Sequence, residues 1–579
     1  MKNKIYFVIV MLAGTLQSCS DYLDEQNPNS LSTDTYWTSL EESESNLTSV
    51  YGAMLDNWVL DIEDEFFRTD LAHPGKRTNP TGAYLPWYQQ RLLADNAAVG
   101  KQWDSKYRVI WRANQVIEGL NGMSPDLKSN ERWTEQMAQA RFFRGLMHFY
   151  LHNIFNDGKI IIRDKIPQES TDYSKKLSTS EEVINFFRED LEYAYQNLPA
   201  QFDQKTRVDA GAVATILGTS YLYEGNYEKA MIYFKDVINN GAYGYSLETD
   251  VSILFTNTGD FNSESIFEIN YSIDHQLEDG NFDEQSFFHR LSRYSAPSGR
   301  NVAAGRTIGG QGILLPSAWL TYEYSNEPMD TQDSRNYING DVTGQLRTIP
   351  LRGSQSIAVV NDTLSPYYLF NAPQVTAFDK TSFSYYKKYT NHDIVSAEFD
   401  TGTSPWKSGR NIVVNRLSGV YLMYAECLTK TGDINGALSY INQIRQRWGL
   451  QLLGVSDGLP HDFDGEVYTE STLMEHLMYK EYPLELSVEG FSTRFIDLRR
   501  WGVAQERFSE LSMTPFHLND FSYTDAKGKE ALRKQSLLEK GPGKKEFVEY
   551  TDAANAWASP NPAYLPIPQS EILNNQEIN

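Results

Sequence analysis

Residues 212–241 read AVATILGTSYLYEGNYEKAMIYFKDVINNG, and their spacing decides the fold class. Leu217-Gly218 is followed two residues later by Tyr221, then by Gly225, Ala230 and Phe234. That is the tetratricopeptide pattern, L-G-x2-Y followed by A-x3-F. The small residues let two antiparallel helices approach closely, while Tyr221 and Phe234 fill the groove between neighbours. A weaker copy occupies 420–447, with Tyr424-Ala425, Gly432-Asp433, Ala437, Ile441 and Ile444. Upstream, Phe143, Leu146, Met147, Tyr150, Leu151 and Ile154 share one face of a helical pattern. Val183, Ile184, Phe187, Leu191 and Tyr195 do the same until Pro199 stops the run. These two stretches, 135–153 and 180–198, are expected to form a third hairpin.

Outside these hairpins the texture changes. Between about 245 and 410, Gly, Ser, Asn, Pro and Tyr rise and helical periodicity fades. Structureless loops of that length are rare in compact domains, so short strands, turns and a functional role are expected there. Helical patterns return at 412–450, 471–510 and 527–540, ahead of an extended Pro-rich tail. Cys427 falls on the apolar face of Val420, Met423, Tyr424 and Leu428, which reads as a small buried hydrophobe.

Composition narrows the function. The 579 residues are 40% hydrophobic and 22% charged, a globular balance. A net charge of −24 disfavours nucleic acid and anionic headgroups and leaves neutral ligands unpenalised. Tyrosine (36) outnumbers phenylalanine (28), which suits surfaces that bind through a ring yet stay wet when empty.

The chain opens with Lys2 and Lys4 and an apolar run from Ile5 to Leu16, too short for a bilayer span and read as a signal peptide. Leu16-Gln17-Ser18-Cys19 resembles the lipobox of bacterial lipoproteins, in which Cys19 would become the lipidated N-terminus. With Cys427 the only other cysteine, no disulfide framework is expected.

From there the chain resembles the SusD/RagB-like nutrient-binding lipoproteins of the Bacteroidetes outer membrane along nearly its whole length. The carrying segments are CSDYLDEQNP, ARFFRGLMHFYLHNIFNDGKI with Arg144 at the family's arginine, the 212–241 unit, ESIFEINYS, NRLSGVYLMYAECLTKTGDINGALSYINQIRQRWGL, PLELSVEGFSTRFIDLRRWG and YLPIPQSEI. Two departures stand out. Three residues separate Gly490 from Arg494, a longer spacing than usual, and Asn574-Asn575 replaces the usual Asn-Pro.

The resemblance implies a mostly α fold. A tetratricopeptide-like helical-hairpin scaffold would carry an irregular, loop-rich, ligand-facing half with short strands. It divides the chain into a signal peptide (1–18), anchor and tether (19–45), N-terminal helical half (46–265), irregular region (266–411) and C-terminal helical part (412–579). It further implies a surface lipoprotein of the outer membrane, attached through lipid only. Such a protein captures a glycan, or in some members a peptide, as the lid of a SusC-type TonB-dependent transporter, without cofactor, metal or catalysis. In relatives the sugar contacts come largely from the first loop and the central region.

In the first loop Tyr84, Trp87 and Tyr88 lie within five residues, beside Arg68, Asp70, Arg77 and Asn79. Flat rings cover the C–H face of a sugar, and Arg, Asp and Asn bind its hydroxyls. Trp87 has a second reading, as a core anchor. Arg290 and Tyr294, with Phe287 and Phe288, are the central candidates. His148 and His152, four apart on a helix, read as packing residues rather than zinc ligands. Asp462, Asp464 and Glu466 read as a solvated turn rather than a calcium loop. Glu485, Glu489, Arg494, Asp497 and Arg499 read as a structural charge network. No G-x-S-x-G, H-E-x-x-H, P-loop or G-x-G-x-x-G motif is present. Two rival readings stay open: a surface glycoside hydrolase, and a tetratricopeptide adaptor with no ligand of its own.

Overall fold

The computed structural model describes residues 37–77, 79–273, 288–298, 300–301, 306–375, 378, 382–394, 407–525, 527–558 and 563–578. Cys19, the signal peptide, most of the tether and Phe287 lie outside them. The helices that build the frame are α1 (Leu40–Ala53), α2 (Ile62–Phe67), α3 (Leu85–Tyr88), α4 (Ala97–Gly122), α5 (Glu131–Ile154), α6 (Ser180–Asn197), α7 (Ala210–Tyr223), α8 (Tyr227–Asn239), α9 (Ala318–Ser325), α10 (Leu417–Lys430), α11 (Ile434–Arg447), α12 (Glu470–His476), α13 (Tyr482–Leu486), α14 (Thr493–Arg500) and α15 (Thr551–Trp557). The strands used below are β1 (Ala72–Lys76), β2 (Asn79–Pro80), β3 (Ser265–Ile269), β4 (Leu314–Pro316), β5 (Ile412–Arg416), β6 (Phe516–Thr524) and β7 (Glu530–Lys540).

The helices pack as pairs, α1 with α4, α5 with α6, α7 with α8 and α10 with α11, and the pairs stack. α8 packs directly on α10, so the fourth pair continues the stack across everything inserted between residues 240 and 411. The quoted unit folds as its spacing requires. At Gly218 an added Cβ would meet the Phe234 ring at 2.6 Å, so only glycine allows this approach. Ala230 and Phe234 are fully buried, and the Arg188 guanidinium of α6 lies 3.9 Å from the Tyr221 ring centroid. Pairing α5 with α6 buries Arg144, which grips Asp190 with Nε and Nη2 at 2.7 and 2.8 Å and donates to the Asp164 carbonyl. His148 Nδ1 bonds the Arg144 carbonyl, its Nε2 accepts from Arg163 N–H, and His152 bonds Ser180. Both histidines serve packing. Cys427 is buried in α10, and burial pushes its thiol well up.

Three expected elements come out differently. Residues 412–416 open the C-terminal part as strand β5, antiparallel to β3, rather than as helix. Their run Ile-Val-Val suits a pleated, half-buried surface, and the helix begins only at Leu417. Residues 527–540 contain β7, not a helix, because β6 pairs with it along its length and outweighs the helix-favouring Ala, Leu, Arg, Lys and Glu. The tail carries α15 and a short helix Gln569–Asn574, and Leu565 N–H donates to the Ile154 carbonyl, capping α5. Asn575 bonds both the N–H and the carbonyl of Lys175, which is the job its amide does in place of proline.

The five-membered charge group is built into a larger buried network. Glu485 accepts from Arg416 at 2.7 Å, Arg447 at 2.6 Å and Arg352 at 3.5 Å. Glu489 pairs with Arg416 and Lys388, Arg494 with Asp70, and Asp497 with Arg500. Arg499 departs from the expected pattern: its guanidinium donates to the carbonyls of Asn153 and Ala563 and stacks on Tyr564. The long Gly490-to-Arg494 spacing is absorbed by left-handed backbone at Val488, Gly490 and Ser492. In the acidic turn, Asp462 accepts from Thr331 N–H, and Asp464 accepts from Gly454 N–H and the Tyr468 hydroxyl.

Candidate functional site

The first loop, 54–96, is an insertion between α1 and α4, the two members of the first helix pair. It is pinned to the central region by a three-stranded sheet in the order β2-β1-β4, with Ala72 opposite Pro316 and Pro74 opposite Leu314. The two expected ligand segments therefore meet, but their side chains divide into three environments.

Four of the expected contacts point inward. Trp87 is 1% exposed, so its core-anchor reading holds. α3 is a single turn started by Pro86, and it turns Trp87 into the core. The Arg68 guanidinium lies between that ring, 6.0 Å from its centroid, and Phe495, 3.7 Å away, with its charge answered by Glu65. Asp70 is clamped by Arg494, at 2.7 and 2.8 Å, and by Arg507 at 2.8 Å. Burial alone would raise its pKa, but the two arginines overcome this and hold it down at about 2. The Tyr88 hydroxyl accepts from Tyr550 N–H at 3.0 Å, and its ring packs on His73 and Tyr550. Arg68, Asp70 and Trp87 are thus corrected from ligand contacts to core residues.

Arg77 is also largely committed, with Nε on Glu549 at 2.7 Å and Nη2 on the Pro316 carbonyl at 2.6 Å. With Tyr88 it lines a cleft shared with the C-terminal hairpin. Of Asn79 only the backbone is described, opposite Lys76 in the β1–β2 turn.

The remaining candidates come together on one face. Tyr84 and Tyr294 are half-buried, with ring centroids 6.2 Å apart at 67°. Arg290, its side chain 21% exposed, lies 5.7 Å from the Tyr294 centroid and 4.3 Å from that of Trp58. Trp58, half-buried in the short helix Asn57–Leu60, is not among the sequence candidates; its signal is an indole three residues ahead of the acidic run 61–65. That run supplies the support. Arg290 pairs with Asp61 at 3.1 Å and with Glu63, while Gln102 donates to Asp61. Burial, reinforced by Glu63, pushes Asp61 up to about 8, and Asp64 is raised well above its ordinary value for the same reason. The face therefore offers three rings and one guanidinium held from below, the chemistry that covers C–H faces and donates to hydroxyls.

Two family profiles cover most of the chain: the SusD family over residues 263–579, and "Starch-binding associating with outer membrane" over 21–222. The chain belongs to the SusD family. A SusD-like protein of Formosa agariphila is 24% identical over 550 residues, 88% of this chain and 92% of that one. Among solved structures, a SusD superfamily protein of Bacteroides vulgatus matches with a TM-score of 0.70 at 21% identity, over 94% of this chain and 99% of its own. Surface glycan-binding protein A of Bacteroides thetaiotaomicron, solved in complex with laminarihexaose, matches with a TM-score of 0.63 at 20% identity, over 93% and 98%. The mostly helical SusD fold is thus the fold of this chain.

Proposed function

We propose that this SusD-family protein is a lipid-anchored glycan-binding protein of the outer-membrane surface, acting as the lid of a SusC-type TonB-dependent transporter. The observation that carries the binding half is the face of Trp58, Tyr84, Arg290 and Tyr294, assembled from two loops about 230 residues apart on a rigid helical frame. The relative solved with laminarihexaose and the match of residues 21–222 to a starch-binding family associated with the outer membrane support the same reading. Cys19 would carry the lipids, and tethering at the pore would raise the effective concentration of captured glycan. Asp61 and Glu63 beneath the face pair with Arg290 and hold its guanidinium in place.

The test is calorimetric titration of the full chain in detergent against a panel of polysaccharides and peptides, each mixture assayed for released product. Co-isolation of the tagged chain from solubilised outer membranes checks the transporter. Glycan binding without product and recovery of a TonB-dependent barrel are the expected results; product release would overturn the reading in favour of a hydrolase.

A further inference from the structure

Arg77 and Tyr88 open onto a cleft of about 550 Å³ between β1, α3, the β6–β7 hairpin and residues 544–552. Neither Tyr84 nor Tyr294 lines it. The volume is that of an ordinary ligand site, roughly 300–1,000 Å³. One wall is apolar, formed by Leu518 and Phe547. Gln535 reaches the cleft because of a bulge: between Asn519 and Phe521 the register with β7 slips, and Gln535 takes a left-handed φ of 49° with its N–H on Asp520. Bulges re-aim side chains in this way.

The electrostatics run against those of the whole chain. In a protein of net charge −24, Lys544 and Lys545 stand exposed at this cleft, and neither makes an ion pair among the described residues. Beside them lies Arg77, its side chain 8% exposed and its guanidinium 3.7 Å from the Phe383 ring centroid. The two acids of the lining are already engaged. Glu549 accepts from Arg77 and from the Ala318 N–H at the start of α9, and Asp552 accepts from Gln89. His73 bonds the Gly75 carbonyl through Nδ1, and burial and Arg77 hold it neutral, with its pKa at about 4. Its Nε2 is then an acceptor for a hydroxyl.

We propose that this cleft is a second saccharide site, selective for a sugar unit carrying a carboxylate or a sulfate ester. The ring would lie against Phe547 and Leu518, and the anion would meet the exposed Lys544 and Lys545, with the charge of Arg77 behind them. Ammonium groups beside an apolar wall read one negative charge on a small polar body. That the body is a saccharide rests on the glycan-binding reading above; the cationic character of the cleft does not.

The experiment titrates the full chain in detergent with an oligogalacturonate, a sulfated galactan oligosaccharide and the uncharged parent of each. Wild type, the double variant Lys544→Glu/Lys545→Glu and Tyr84→Ala are compared. Both lysines are exposed, so the double variant keeps its fold, checked by its melting curve. The expected result is that one charged oligosaccharide binds at least about tenfold tighter than its parent, loses that advantage in the double variant and keeps it in Tyr84→Ala. The arm that responds assigns the carboxylate or the sulfate. Neutral glycans bound with no preference for charge would overturn the cleft and leave glycan capture standing. A charge preference that survives in the double variant would overturn the cleft as well, and binding of no saccharide at all would overturn both readings.

Discussion

Tyr84 and Trp87 are three residues apart, Tyr84 half-buried where it caps the single turn Leu85–Tyr88 and Trp87 inside that turn and in the core. The sequence shows that aromatic and charged groups cluster here. It does not show which way a single turn rotates them, because a four-residue helix has too few positions to reveal a face. Asp70 is hidden for a different reason: its partners Arg494 and Arg507 lie more than 420 residues away. Trp87→Ala should therefore destabilise the chain by about 3–5 kcal/mol, the cost of emptying a large aromatic site. It would appear as a lower urea midpoint, so any loss of uptake in that variant reports folding rather than a lost sugar contact. A second prediction concerns acid. The folded pKa values of Asp70 and Glu485, each about 2, lie below their ordinary 3.8 and 4.5. Depressed carboxylates contribute stability that is present above the ordinary values and lost as pH falls toward the folded ones. Urea midpoints should decline between about pH 4.5 and 2, and Asp70→Asn should flatten part of that decline; a flat profile in the wild type would contradict the network.

Among elements, the tetratricopeptide pairs were the most legible, because their signal is local: Gly218, Ala230 and Phe234 meet within a single hairpin. Gly218→Ala places its Cβ 2.6 Å from a fully buried ring and should cost about 1–3 kcal/mol, read by thermal or urea unfolding. An unchanged midpoint would mean that the two helices separate more easily than their packing implies. β7 was illegible for the opposite reason. Its own residues favour a helix, and only β6 makes it a strand, through pairs such as Phe516–Lys540 and Thr524–Glu530. The same hairpin supplies Leu518 and Gln535 to the basic cleft, so that site could not be read from the sequence without the pairing.

In the whole molecule, four stacked helix pairs form a frame, and the candidate binding chemistry sits in what interrupts it. The first loop splits the first pair, and the long insertion separates the third pair from the fourth. Buried arginines tie the inserted parts back to the frame: Arg416 and Arg447 both reach Glu264 and Glu485, and Arg352 joins Glu481 to Glu485. Such pairs fix geometry more surely than they add stability, because desolvation offsets much of the Coulombic gain. Fixed geometry is what two loops distant in sequence need if they are to hold Tyr84, Tyr294, Arg290 and Trp58 on one face.

The most direct measurement is therefore a titration of the full chain with the glycan it binds most tightly, set beside the Tyr84→Ala/Tyr294→Ala double variant. A fall in affinity of at least about tenfold, in a variant that still unfolds in one cooperative transition, is the expected result, since each sugar-covering ring contributes on the order of 1 kcal/mol. Undiminished affinity in the double variant would contradict the assignment of this face as the glycan-binding site.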